Sequence, residues 1–329
     1  MNNSEIITVN NIYAYYKTST EKYSHGYIHA LDGISFSIHN SEILGIAGES
    51  GCGKSTLIKV LYGLLDPPLT LINGDVIYKF GKEEISIKDK KFKRKCHWKL
   101  CSYIPQSSMG ILNPTMRIKD HFFEVLKAHH KYIDKKEQYE NIIKHIQHLG
   151  LPIEVLTSFP HQLSGGMKQR IVIALATFLK PKVIFADEPT TALDVITQKE
   201  VLQLLLKIQK ESKNTIVLVT HDIGIHAQVT QKLIVMYAGK IVEYAPTREI
   251  FKNFHHPYVK MLIESLPIIG DKSIKQSMKS APISLINPPS GCRFHPRCPL
   301  ADDKCKKEEP NLIEILEDHY VSCFKWELI

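Results

Sequence analysis

The sequence predicts an α/β fold with a mixed sheet. Short apolar stretches typical of buried strands recur at Ile43–Ala47, 182–186 and Thr215–Val219. Polar residues follow each stretch, and segments with helical periodicity separate them. Strands that alternate with helices are typical of a sheet covered by helices. We therefore expect a large α/β domain, with further segments inserted in it or appended to it.

The strand at Ile43–Ala47 leads into a glycine-rich loop of the form G-x-x-x-x-G-K-S, and a helical pattern follows. Glycines let backbone N–H groups turn inward, and together with the helix N-terminus these groups form an anion site. In such a loop Lys54 would reach the β- and γ-phosphates of a nucleotide, and the Ser55 hydroxyl would bind Mg²⁺. The alternative is a glycine-rich turn whose lysine is merely solvated. The residues concerned are Gly48, Glu49, Ser50, Gly51, Cys52, Gly53, Lys54, Ser55 and Thr56.

The composition is that of an ordinary globular protein, with 43% apolar and 23% charged residues in a chain of 329. No apolar run approaches the roughly 20 residues of a membrane span. The N-terminus lacks the basic and apolar regions of a signal peptide. We therefore expect a cytosolic protein, in which disulfides are not expected.

Part of the net charge of +8 lies in the segment 79–99, which has nine lysine and arginine residues against three acidic ones. Such a segment would face anionic lipid or nucleic acid, or it would be a solvated surface beside a strand pair. No aromatic platform or groove-reading motif accompanies it, which argues against a nucleic-acid partner.

Three further features describe the expected framework. The residues Asn73, Gly74 and Asp75 are typical of a turn between two strands. The segment 116–148 has helical periodicity and predicts two or more helices in a separate lobe. One tyrosine between the first two strands would stack on an adenine ring, or else these tyrosines simply pack on a sheet; they are Tyr13, Tyr15, Tyr16, Tyr23 and Tyr27.

Polar residues end the apolar strands, and in an open α/β sheet ligands lie at the carboxyl edge of the strands. Asp187 would hold Mg²⁺ through water, Glu188 would polarise an attacking water, and His221 would hold the γ-phosphate. Taken singly, the acidic pair would be a helix N-cap and the histidine a structural one. A Ser-Gly-Gly sequence that opens a helix is a further anion-binding arrangement, at Ser164, Gly165 and Gly166.

The motifs GESGCGKST, LSGGMKQR, VIFADEP, TALD and VTHD occur in this order, with Gln106 between the first two. In order and spacing they resemble the ATPase subunit of an ATP-binding-cassette (ABC) transporter. The resemblance implies an ABC-type ATPase that binds ATP and Mg²⁺. Its expected parts are the cassette at 1–255, a helical subdomain inserted at about 107–170, and a small cysteine-containing C-terminal extension at 256–329.

The resemblance also implies residue roles, with Lys54, Glu188 and His221 as the catalytic residues. Ser55, Gln106 and Asp187 would bind Mg²⁺. Ser164, Gly165 and Gly166 would contact the γ-phosphate bound by an opposite subunit. Tyr16 lies where the adenine-stacking aromatic residue is expected, and 193–194 corresponds to the dimer loop.

The resemblance is closer still to the oligopeptide/dipeptide/nickel importers, on the subunit that pairs as the D partner of a D/F heterodimer. ILNPTMRI, HPYVKMLIESLP and PPSGCRFHPRCPLADDKC carry it. It implies a paralogous F-type ATPase, two transmembrane permease subunits, an extracytoplasmic substrate-binding protein, and a peripheral location at the cytoplasmic face of the cell membrane. Peptide is the expected cargo, with nickel or oligosaccharide import, or a soluble ABC ATPase outside transport, as alternatives.

Four cysteines lie in the C-terminal segment with the spacing C-x5-C-x6-C-x17-C, at Cys292, Cys298, Cys305 and Cys323. Clustered thiolates would bind zinc or an iron–sulfur cluster, although the tight C-x2–4-C pairs of zinc sites are missing. Related importer ATPases carry a similar four-cysteine motif that binds a [4Fe-4S] cluster. The resemblance therefore implies this cluster, with zinc as one alternative and free or disulfide-bonded thiols as the other.

Overall fold

The computed structural model describes residues 4–18, 26–106, 110–129, 134–266 and 283–329. Tyr23 and the first residues of the predicted helical subdomain, 107–109, lie outside these ranges. The chain divides into two compact units, which are described separately. The first comprises Met1–Lys93 with Val217–Ile329, and the second comprises Arg94–Ile216.

The strands in chain order are β1 (Glu5–Lys17), β2 (Tyr27–His39), β3 (Ile43–Ala47), β4 (Leu69–Phe80), β5 (Glu83–Ser86), β6 (Cys101–Ile104), β7 (Val183–Asp187), β8 (Thr215–Val219), β9 (Lys232–Tyr237), β10 (Lys240–Pro246), β11 (Ile313–Leu316) and β12 (His319–Val321). The helices are α1 (Lys54–Tyr62), α2 (Phe92–Cys96), α3 (Ile118–His129), α4 (Lys135–His148), α5 (Gly165–Thr177), α6 (Val195–Ser212), α7 (Ile223–Val229), α8 (Thr247–Lys252), α9 (Pro257–Glu264) and α10 (Asp303–Lys307).

The first unit contains two sheets. One is antiparallel, with the order β2-β1-β4-β5. The other contains β11-β12-β10-β9-β3, in which β3 and β9 are parallel and the remaining pairs are antiparallel. Every residue of β3 and β9 is buried, as expected for strands covered on both faces. The predicted α/β class with a mixed sheet is thus confirmed.

The predicted turn at Asn73, Gly74 and Asp75 is wrong. These residues lie inside β4, which continues from Leu69 to Phe80. The pairing of β1 with β4 shifts register between Asn10 and Tyr13, so the glycine marks a bulge. Gly74 has φ +85°, and a Cβ there would lie 2.2 Å from the Asn11 carbonyl oxygen. A turn and a bulge both require this freedom, and the sequence motif is the same for both.

The second unit contains the parallel pair β6 and β7. The helices α3, α4 and α5 lie between these two strands in the chain. The helices predicted for 116–148 are confirmed by α3 and α4. Phe122 of α3 is fully buried and packs edge-on against Phe178, with 5.2 Å between the ring centroids. The strand β8 crosses the boundary between the two units.

The C-terminal segment, residues 283–329, is part of the first unit and extends its second sheet. Strand β12 pairs with β10, with Glu243 opposite Val321 and Tyr244 opposite Tyr320. Upstream of this hairpin, Phe294 is 1% exposed and belongs to the apolar core that β9 and α9 line. The segment is therefore packed on the rest of the first unit through both a strand pairing and a buried aromatic side chain.

Candidate functional site

The glycine-rich loop of the first unit connects β3 to α1. The Lys54 side chain folds back over the loop, and its Nζ donates to the carbonyl oxygens of Gly48 at 2.8 Å and Glu49 at 2.9 Å. Lys54 is only 6% exposed, so its ammonium group is not merely solvated. A buried cation held by two carbonyl oxygens is placed to exchange these partners for the oxygens of a bound phosphate.

Gly48 begins the loop at a close approach of two backbone segments. Its φ is +145°, and a Cβ would lie 2.2 Å from the Met236 carbonyl oxygen and 2.8 Å from Cys52 Sγ. The neighbouring Cys52 is 4% exposed, and burial raises the pKa of its thiol. The carbonyl oxygen of Cys52 accepts a hydrogen bond from Gly239 N at 2.8 Å, which further ties the loop to the sheet.

Gly48→Ala is expected to lower the free energy of unfolding by about 1–3 kcal/mol, because the added methyl group meets a main-chain oxygen that cannot move aside. Denaturant unfolding measures this loss. Gly51→Ala is the matched control, since Gly51 also has a positive φ, +79°, but nothing lies within 4 Å of its Cβ position. Equal stability of the two variants would contradict the packing at Gly48.

Tyr16, the adenine-stacking candidate, lies beside the start of α1. Its hydroxyl is hydrogen-bonded to the Thr56 hydroxyl, with 3.1 Å between the oxygens. Tyr15 instead donates to Asp32 at 2.9 Å, and its ring lies 4.3 Å from the ring of His29. Of these two tyrosines, only Tyr16 bonds to a residue of the glycine-rich loop 48–56, which is called the phosphate loop below.

The second unit contains the acidic pair at the end of β7. Asp187 is 1% exposed and accepts a hydrogen bond from the Tyr103 hydroxyl at 3.3 Å. Glu188 accepts from Gln106 Nε2 and from Thr191 Oγ1, both at 2.9 Å and both through Oε2. The structure thus brings Gln106 and Glu188 together, although 82 residues separate them in the chain.

The Ser-Gly-Gly motif and the predicted dimer loop each begin a helix of the second unit. Ser164 is the N-cap of α5 and accepts from Met167 N at 3.3 Å. Asp194 is the N-cap of α6, and hydrogen bonds from Thr197 lower the pKa of its carboxyl. The next two residues, Val195 and Ile196, are 81% and 74% exposed.

His221 lies in the first unit, two residues after the end of β8, and is exposed. Its neighbour Asp222 caps α7 by accepting from Gly224 N at 2.8 Å. Asp222 is thus the acidic residue that caps a helix, whereas Asp187 of the acidic pair ends the strand β7. The first unit thus carries Lys54, Tyr16 and His221, and the second carries the acidic pair.

Two further residues contact these groups and are not predicted from the sequence. Tyr103 lies on β6, three residues before Gln106, and contacts Asp187. Its position on the strand that leads to Gln106 is the one feature of the sequence that could have indicated it. Arg297 forms two hydrogen bonds to Glu49 of the phosphate loop, and 248 residues separate them. No spacing in the sequence indicates that pair.

The four C-terminal cysteines are free thiols of the first unit. Cys292 N donates to the Cys305 carbonyl oxygen at 2.8 Å. Burial, together with the charges of the other three cysteines, raises the pKa of Cys323 to about 12, and burial raises that of Cys292 to about 11. Within the ranges that the structure describes, no three His, Cys, Asp or Glu side chains form a group that could hold a metal ion.

Comparisons with known proteins identify the family of the chain. Residues 31–191 match the family described as ABC transporter, and 242–305 match the oligopeptide/dipeptide transporter C-terminal region. The dipeptide transport ATP-binding protein DppD of Caldanaerobacter subterraneus subsp. tengcongensis is 43% identical, covering 92% of this chain and 93% of that protein. The chain belongs to the ABC transporter family. Within it, the chain is a member of the oligopeptide/dipeptide transport ATP-binding proteins, as predicted from the motifs.

Further relatives agree. The oligopeptide transport ATP-binding protein AppD of Bacillus subtilis is 36% identical over 98% of both chains. Among solved structures, an ATP-binding cassette determined as a dimer in a post-hydrolysis state with ADP and Pi has a TM-score of 0.62. It is 26% identical and covers 74% of this chain and 99% of its own.

Membership in this family establishes an ABC-type ATPase that uses ATP and Mg²⁺. It also implies a second cassette and transmembrane partner subunits. Among the described residues, no helix has both the length and the apolar character to cross a membrane. The predictions of fold, family and ATP hydrolysis are thus confirmed.

Proposed function

We propose that this ABC ATPase energises the uptake of dipeptides or oligopeptides through separate permease subunits. The observation that carries this proposal is similarity along nearly the whole chain to dipeptide and oligopeptide transport ATP-binding proteins, including the region 242–305. The chain is a peripheral subunit at the cytoplasmic face of the cell membrane. An extracytoplasmic substrate-binding protein delivers the cargo.

The cargo is tested by uptake of a labelled dipeptide into proteoliposomes that contain this ATPase, its co-purified permease and the substrate-binding protein. Accumulation of the dipeptide that requires internal MgATP supports the proposal. Accumulation of nickel or of an oligosaccharide, with no dipeptide uptake, would overturn the peptide assignment and keep the transport function. Co-purification with ribosomes or DNA in place of a permease would overturn both.

For hydrolysis, we propose that the loop 48–56 binds the triphosphate and that Lys54 contacts its β- and γ-phosphates. Glu188 accepts the proton of the attacking water and His221 contacts the γ-phosphate. Mg²⁺, when bound, neutralises phosphate charge, and Ser55, Gln106 and Asp187 are the residues that would hold it. Asp187 is buried with a hydroxyl donor beside it, so its carboxylate is positioned before any ligand arrives.

We propose that each nucleotide is bound by two cassettes. Ser164, Gly165 and Gly166 of one cassette contact the γ-phosphate on the phosphate loop of the other. Val195 and Ile196, which follow the dimer loop, support this arrangement because two adjacent aliphatic side chains with such exposure are suited to burial against a partner. The partner is a paralogous F-type ATPase, and two permease subunits complete the transporter. Tyr16 stacks on the adenine.

We also propose that the chain is organised as an ATPase domain at 1–255, with the helical subdomain at about 107–170 inserted in it, and a C-terminal extension at 256–329. The extension carries the four cysteines, which bind a [4Fe-4S] cluster. The spacing of the four cysteines within one short segment supports this proposal. Cys305 is buried and the other three are partly buried, and in the structure the four thiols do not form a group that could hold a metal ion. A cluster binds thiolates, and binding would therefore release the protons that burial retains on Cys292, Cys298 and Cys323.

Anaerobically purified protein is expected to show the broad visible absorption of an iron–sulfur centre, with iron and sulfide in equal amounts. Cys298→Ser should remove most of this absorption because one of four ligands is lost. Cys96→Ser is the control, since Cys96 is a buried cysteine outside the C-terminal segment. Colourless protein with stoichiometric zinc would show that the cysteines bind zinc and not an iron–sulfur cluster. Metal-free protein would contradict both assignments.

A further inference from the structure

The phosphate loop and the C-terminal segment are joined by an ion pair. Arg297 donates from Nη1 to Glu49 Oε2 at 2.9 Å and from Nη2 to Glu49 Oε1 at 3.0 Å. The arginine side chain is 4% exposed and the glutamate side chain 19%. Two parallel charge-assisted bonds, shielded from water, fix both the direction and the charge of the Glu49 carboxylate.

The arginine is held in place by the packing of its own segment. It ends a 3₁₀ turn, His295–Arg297, which directly follows the buried Phe294. The Phe294 ring lies 5.1 Å from the ring of Tyr237 and 5.4 Å from that of Tyr258. Arg297 Nη1 also donates to the Tyr237 hydroxyl at 3.1 Å. The guanidinium group is therefore presented to the loop by a rigid aromatic support.

The glutamate connects this support to the lysine of the loop. Glu49 N donates to the Tyr258 hydroxyl at 2.9 Å, and the Glu49 carbonyl oxygen accepts from Lys54 Nζ. Side chain, amide and carbonyl of Glu49 thus each have a partner. Two of these partners, Arg297 and Tyr258, lie in the C-terminal part of the chain.

The charge of Glu49 has a consequence for a triphosphate ligand. A carboxylate in the loop that receives the phosphates repels them, and this repulsion is stronger in a poorly solvated site than in water. The guanidinium group of Arg297 cancels that charge. It also holds the carboxylate on the side of the loop that faces the C-terminal segment.

We propose that Arg297 is a positioning residue of the nucleotide site, through which the C-terminal segment supports MgATP binding by neutralising and orienting Glu49. The proposal rests on the proposed role of the loop 48–56 in phosphate binding. Arg297 acts through Glu49 and does not itself contact the nucleotide.

The test is the Kd of a fluorescent MgATP analogue for the full-length protein and three variants. Arg297→Met leaves a net negative charge at the loop and is expected to raise Kd about tenfold. Glu49→Gln removes the carboxylate charge and should bind the analogue at least as tightly as the wild type does. The double variant Glu49→Gln/Arg297→Met carries the same net charge as the native pair and should return to within about twofold of the wild-type Kd.

A purely structural role for Arg297 predicts a different pattern, in which the double variant binds as weakly as Arg297→Met. That result would overturn the proposal, as would tenfold weaker binding by Glu49→Gln alone. Glu309→Gln is the control, because Glu309 pairs with Lys240 and also joins the C-terminal segment to the cassette, away from the loop. Its Kd should be unchanged. Failure of the wild type to bind would instead overturn the role of the loop itself.

Discussion

Replacing Lys54 by alanine is expected to reduce ATP hydrolysis by about 10²–10³-fold and to weaken nucleotide binding, because the variant loses the cation that we propose contacts the phosphates. The native ammonium is buried and held by two loop carbonyl oxygens. In the variant these oxygens face the phosphates without a cation between them.

Phosphate release and analogue binding measure the two effects separately. Lys59→Ala is the matched control, since Lys59 lies on the same helix, one turn and a half beyond Lys54, and outside the loop. Undiminished hydrolysis in Lys54→Ala would show that the loop is not the phosphate site. An equal loss in Lys59→Ala would show that the effect comes from damage to α1.

Glu188→Gln is expected to lower the rate of hydrolysis by about 10²–10⁴-fold, because an amide cannot accept the proton of the attacking water. The substitution preserves the size of the side chain and an oxygen that can accept from Gln106 and Thr191. Nucleotide binding should therefore stay within about twofold of the wild type.

Single-turnover hydrolysis and binding titrations on the same preparation make this comparison. Glu200→Gln, an exposed acid on α6 of the same unit, is the control and should hydrolyse ATP at the wild-type rate. Loss of binding in Glu188→Gln would assign the residue to the framework of the site. Normal turnover would remove it from the mechanism.

The buried strands were the most predictable part of the fold. β3 and β8 begin and end at the predicted residues, because a continuous apolar run bounded by polar residues and glycine leaves few alternatives. The bulge at Gly74 was not predictable from local sequence. A glycine after asparagine suits a turn and a bulge equally, and pairing with β1, more than sixty residues away, decides between them.

The residues of the site likewise divide into those that the sequence predicts and those that only the tertiary structure reveals. Motif spacing identified Lys54, Gln106 and Glu188, and the structure adds that the last two contact each other. Tyr103 contacts Asp187 and Arg297 contacts Glu49 only through the tertiary fold, and neither pairing is indicated by the sequence around these residues. The cysteine spacing likewise identified candidate ligands, whereas their common neighbourhood depends on how the C-terminal segment packs against β10 and the Phe294 core.

The central claim is that ATP is bound between this cassette and a second one and is cleaved with the help of Glu188. The most direct measurement is the sedimentation of Glu188→Gln protein, alone and mixed with the paralogous ATPase subunit, with and without MgATP. The account predicts a single cassette of 37.5 kDa without nucleotide and a two-cassette species when MgATP is added. A single cassette that binds MgATP and never pairs, in either preparation, would contradict it.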